Sequence, residues 1–77
     1  MHHFLEYFLK RLVTHPQELR IEPVDEEGEQ VFYIEANPED VGRIIGRRGR
    51  TIQALRNVVG SSAPEGERIH VEVVTQA

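Results

Sequence analysis

Two glycines three residues apart, Gly46 and Gly49, interrupt an otherwise helix-periodic stretch between Pro38 and Val59, and this spacing limits the possible folds more than any other feature of the chain. With no Cβ in the way, the backbone can turn sharply at each glycine, so two helices meet at a tight corner that an outside group can approach closely. Arg47 and Arg48 lie between the glycines, where side chains have to point to solvent. The second glycine then opens a helix, whose unpaired N–H groups and positive dipole end face the turn. Such a corner suits an anion, and guanidinium forks match phosphate oxygens in two-point geometry.

The charge distribution points the same way. Residues 41 to 60 carry five arginines and no acidic residue, whereas the rest of the chain carries four basic and thirteen acidic side chains. The overall charge of −4 therefore conceals one basic site in an acidic chain. A nucleic-acid backbone is the anion this arrangement favours. The plainer reading, in which Gly46 and Gly49 form only a helix cap and a turn, leaves the clustered arginines unexplained.

Periodicity supplies the surrounding elements. Residues 3 to 14 place Phe4, Leu5, Phe8, Leu9, Leu12 and Val13 on one helical stripe opposite Glu6, Lys10 and Arg11, and His15-Pro16 ends the helix. Leu19, Ile21 and Val24 suggest a short strand over 19 to 24, with Pro23 favouring an edge position or the strand's end. Asp25 to Glu29 reads as a charged, solvated turn, and residues 31 to 36 as the best strand. Asn37-Pro38-Glu39-Asp40 has a capping asparagine, proline at the first helical position and carboxylates in the first turn, which predicts a helix from Pro38 to Ile45. A second helix is predicted from about Arg50 to Val59, closed by Gly60. After a loop from Ser61 to Glu67, Ile69, Val71 and Val73 alternate with His70 and Glu72 in a last strand.

The run Val41-Gly42-Arg43-Ile44-Ile45-Gly46-Arg47-Arg48-Gly49-Arg50-Thr51-Ile52 resembles the signature of K homology (KH) RNA-binding domains. The order helix, strand, strand, helix, helix, strand is that of the bacterial, type II KH arrangement. The resemblance implies an α+β fold: a single domain over residues 1 to 77, with a three-stranded mixed sheet and all helices on one face. The two early strands would pair antiparallel, and the two-helix crossover would bring the last strand in parallel. It further implies a non-catalytic, single-stranded RNA-binding protein, similar to small stand-alone bacterial KH proteins that act in post-transcriptional regulation or as RNA chaperones. Its partner would be a second, larger KH-containing RNA-binding protein, or another copy of itself in a homodimer. A KH loop holds about four nucleotides, so the RNA-binding residues would be Arg43, Ile45, Gly46, Arg47, Arg48, Gly49, Arg50 and Ile52. Ile45 and Ile52 would serve both as core and as the apolar floor beneath the bases. Arg56, farther along the helix, reads as a solvated surface residue. Phe32 and Tyr33 must point to opposite faces of their strand, and the motif itself holds no aromatic platform. The alternative is a KH fold that has become a protein-interaction or dimerisation module, although such a domain would be expected to lose the basic loop that this chain keeps.

Other functional classes find little support. A chain of 77 residues buries only about 60 to 65% of its unfolded surface, enough for one thin core. There is no cysteine, hence no disulfide and no thiolate metal site. No apolar run approaches a membrane span, and no secretory signal is evident, so a cytoplasmic location without membrane contact is expected. His2, His3, His15 and His70 lack the spacing of a metal site, and His2 and His3 suit a tag remnant as well as a native start. The glycine loop lacks the length and the Gly-Lys-Ser/Thr ending of a nucleotide-hydrolysing loop, and Ser61 and Ser62 are in no nucleophile-elbow sequence. No enzyme, cofactor or metal is expected.

Overall fold

The central strand of the sheet comes from the β-branched and aromatic run in the middle of the chain, and everything else packs around it. A computed structural model describes residues 2–74. Its order is α1 (His2–Leu12), β1 (Arg20–Glu26), β2 (Glu29–Glu35), α2 (Pro38–Ile45), α3 (Arg50–Ser61) and β3 (Arg68–Val74), with short 3-10 turns at Pro16–Glu18 and Arg47–Gly49. β1 pairs antiparallel with β2 and β3 pairs parallel with it, so the strand order is β1-β2-β3. This is the mixed α+β sheet expected of the type II KH arrangement.

The registers sort the side chains into two faces. Ile21, Ile34 and Val73 form one row and Pro23, Phe32 and Val71 the next, on the face that meets the helices. Onto these rows pack Leu5, Leu9 and Val13 from the first helical segment, Ile44 from α2, and Ile52, Leu55 and Val59 from α3. Leu5, Leu9, Ile34, Ile44 and Val59 are wholly buried. Among the described residues the other face carries no helix. It presents rows such as Glu22, Tyr33 and Glu72, or Glu26, Glu29 and Arg68.

Several boundaries differ from the sequence reading by a residue or two, and three of the differences have a clear physical reason. α1 ends at Leu12 and not at residue 14, because the Thr14 and His15 N–H groups donate to the Asp40 carboxylate at 2.9 and 3.0 Å instead of continuing the helix. Phe4, placed on the apolar stripe, lies at its solvent edge and stacks on Phe8 with ring centres 6.0 Å apart. β1 extends through Asp25 and Glu26, which pair with Gln30 and Glu29, so the charged turn shrinks to Glu27-Gly28. Both turn residues have positive φ, 48° and 84°, the geometry of a two-residue hairpin that follows strand twist. Pro23 is in the interior of β1, tolerated because that strand is an edge. Finally, Gly60 does not close α3. The helix continues to Ser61, and the Ser61 and Ser62 hydroxyls donate to the Val58 carbonyl at 2.9 and 3.0 Å, which satisfies its end without a glycine cap.

Candidate nucleic-acid interface

α2 begins as its sequence requires. The Asn37 side chain accepts from the Glu39 N–H at 2.9 Å, Pro38 occupies the first position, and Asn37 Nδ2 donates to Glu18 at 2.8 Å. Asp40 does more than complement the helix dipole. It is fully buried and accepts from the Thr14 N–H (2.9 Å), the Thr14 hydroxyl (2.8 Å) and the His15 N–H (3.0 Å), with His15 Nδ1 3.3 Å away. Burial alone would raise its carboxyl pKa, but the Thr14 and His15 hydrogen bonds outweigh that and bring it down to about 2. The start of the helix that leads into the glycine loop is thus bolted to the end of α1.

At the far end of α2 the chain reverses. Gly46 has φ 79° and ψ 169°, Arg48 has φ 57° and ψ 26°, and Gly49 has φ 73° and ψ 14°. These positive values compress the corner into four residues. A Cβ on Gly46 would run into Thr51, whereas the space beside Gly49 is open. The N–H groups of Gly49 and Arg50 donate back to the Gly46 and Arg47 carbonyls and stiffen the turn. Those two donors are therefore not available to a guest, whereas the arginine side chains around them are exposed.

The structure brings the eight expected site residues to one corner. Arg43, Arg47, Arg48 and Arg50 are exposed, and none pairs with a carboxylate among the described residues. Gly46 and Gly49 are half-buried between them. Ile45 is half-buried against the core, while Ile52 is 7% exposed and forms part of the core itself. A guest could touch Ile45 and only the rim of Ile52.

Two residues have roles the sequence did not show. Asp40 reads locally as an ordinary helix-start carboxylate, and nothing in its neighbourhood announces donors 25 and 26 residues earlier in the chain. Arg56 is exposed as expected, yet its Nε donates to the Val71 carbonyl of β3 at 3.2 Å. Only its position on the flank of α3 next to the buried stripe hinted at a neighbour.

The opposite side of the molecule is hostile to phosphate. The uncovered sheet face has a depression of about 580 Å³ lined by Glu26, Glu29 and Glu72 along with Val31, Tyr33 and His70. Tyr33 points there, donating its hydroxyl to Glu26 at 3.0 Å, and so offers no stacking platform beside the loop. Among the described residues no helix is long and apolar enough to cross a membrane.

Comparison with known proteins agrees with this architecture. A family model described as KhpA/KhpB, KH domain, matches residues 2–73. The "RNA-binding protein KhpA" of Thermotoga maritima is 39% identical over 74 residues, covering 96% of this chain and 99% of that protein. Its namesake in Leifsonia xyli is 41% identical over 70 residues, 91% of each chain, and that of Chlamydia pneumoniae is 35% identical over 77 residues, 99% of each. No solved structure matches the chain. With the type II order, the glycine corner and relatives that share nearly its whole length, the chain belongs to the KhpA/KhpB family of KH domains.

Proposed function

We propose that this chain acts as one domain that binds single-stranded RNA without catalysing a reaction, through the corner formed by residues 46 to 49. The observation that carries the reading is the group of exposed arginines, Arg43, Arg47, Arg48 and Arg50, with no carboxylate partner among the described residues, at a glycine corner in a chain that is otherwise acidic. The sugar-phosphate chain would lie across the corner, with guanidinium groups on its oxygens and Gly46 and Gly49 allowing close approach. Ile45 and the rim of Ile52 would meet the bases. The name its relatives carry, RNA-binding protein, supports the same reading. The role that follows is post-transcriptional regulation or RNA chaperoning in the cytoplasm.

A single small groove without aromatic stacking gives modest affinity. A companion, either a larger KH-containing RNA-binding protein or a second copy, would raise it through effective concentration.

The decisive experiment is the double substitution Arg47→Asp with Arg48→Asp. Both side chains are exposed, so the fold should survive while binding of a fluorescent single-stranded RNA is abolished. Unchanged affinity in a variant whose circular dichroism is native would remove the loop from the interface.

A further inference from the structure

α3 directs Ile52, Leu55 and Val59 into the core, and Arg56 stands on the adjoining flank, facing the edge strand β3. Its Nε–H donates to the Val71 carbonyl at 3.2 Å. That bond uses one of the five guanidinium donors. The two terminal NH₂ groups have no partner among the described residues, and no carboxylate neutralises them.

A free arginine side chain would lose much rotamer entropy on gripping a ligand. One already held by its Nε has lost part of that freedom in the free protein, so the fork is preorganised. With Nε occupied, the two-point grip left to it is the end-on pair, one N–H from each terminal nitrogen. This pair needs two adjacent acceptors on one planar edge. Guanine offers N7 and O6, and cytosine offers N3 and O2. Adenine and uracil alternate donors with acceptors and offer no such pair.

Phosphate also has paired acceptors, but position argues against it. Arg56 is seven residues beyond Gly49, about 10 Å along the helix at 1.5 Å per residue, and beside the sheet edge. On the reading above, the backbone lies across residues 46 to 49 and the bases turn in over Ile45 towards the sheet edge, so the group brought to Arg56 is a base.

We propose that Arg56 is a specificity-determining residue that selects guanine or cytosine at the nucleotide lying against β3. This rests on the RNA-binding reading above and adds a base preference to it.

The test uses the full chain and four fluorescent RNA hexamers: all uridine, and the same hexamer with one central adenosine, guanosine or cytidine. The guanosine or the cytidine hexamer should bind at least about fivefold more tightly than the adenosine and all-uridine hexamers, the low end of what a two-point arginine contact confers. Arg56→Lys keeps the charge without the fork and should bring that ratio close to one. Replacing the favoured base by its deaza analogue, 7-deazaguanosine or 3-deazacytidine, removes one acceptor and should do the same with the wild-type protein. This arm stays informative even if the lysine variant proves unstable.

Equal wild-type affinities for all four hexamers, or a preference that survives both Arg56→Lys and the deaza base, would overturn the assignment. The Arg47→Asp, Arg48→Asp protein separates this failure from that of the parent reading. If it loses all four hexamers while wild-type shows no base preference, only the Arg56 proposal falls. If it binds them as wild-type does, the corner itself is not the RNA site and both fall.

Discussion

Alanine at Gly46 and alanine at Gly49 look alike in the sequence, but the structure separates them sharply. At Gly46 the backbone is at φ 79° and ψ 169°, a region essentially closed to residues with a side chain, which costs about 1–3 kcal/mol. The new methyl would also strike the Thr51 hydroxyl and come within 2.6 Å of Thr51 Cβ and 2.8 Å of its backbone nitrogen. Those atoms belong to the first turn of α3 and cannot move aside without shifting the helix, so overpacking adds about 1–3 kcal/mol. A stiffer unfolded chain returns about 0.4–1 kcal/mol, so Gly46→Ala should destabilise the domain by about 1–5 kcal/mol. At Gly49, φ 73° and ψ 14° lie in the ordinary left-handed well, and a Cβ meets nothing within 4 Å. The conformational cost there is about 1–2 kcal/mol, and the stiffer unfolded chain returns about 0.4–1 kcal/mol of it. Gly49→Ala should thus cost only about 1 kcal/mol. A domain of 77 residues is stable by about 4–12 kcal/mol, so the first change threatens folding and the second does not. Urea denaturation of both variants, followed by circular dichroism, measures the difference. Equal destabilisation, or a larger loss at Gly49, would refute the reasoning.

Other perturbations have equally definite outcomes. RNA affinity should fall with salt with a log–log slope of about −1.5 to −3, as expected when two to four phosphates are neutralised, and a slope near −6 in a filter-binding titration would mean a larger basic surface than this corner has. The folded-state pKa of Asp40 is lowered from 3.8 to about 2, so its stabilising effect is complete above pH 4 and is lost as pH falls from there towards 2. Urea midpoints should decline over that window in the native protein and change less in Asp40→Asn, which starts from a lower plateau. Glu27 sits at φ 48° in the first position of the hairpin turn, so Glu27→Asn should raise stability by about 0.5–1 kcal/mol in a thermal melt, since asparagine adopts that conformation more readily. Leu9→Ala empties a wholly buried site and should cost about 2–5 kcal/mol, read by circular dichroism as a lower urea midpoint with the slope unchanged.

Much of this protein is written in short-range chemistry. The apolar spacing of Leu5, Leu9 and Val13 defines a helix face, Asn37-Pro38 starts α2, and the β-branched and aromatic run around Phe32 and the alternation around Val71 assign the strands. Gly46 and Gly49 locate the corner, because only residues without a Cβ readily take the backbone angles it demands. Each of these is a decision made within one or two turns of chain, which is why sequence alone determined the element order and the place of the arginine cluster. What tertiary structure decided involves partners far apart in sequence. The carboxylate of Asp40 ends α1 by capturing the donors of Thr14 and His15, the ladder with β2 draws Asp25 and Glu26 out of a turn and into a strand, and the Val71 carbonyl holds an arginine fifteen residues before it. In each case a hydrogen-bonding group finds its partner only after the chain has folded, and no local propensity records which distant group that will be.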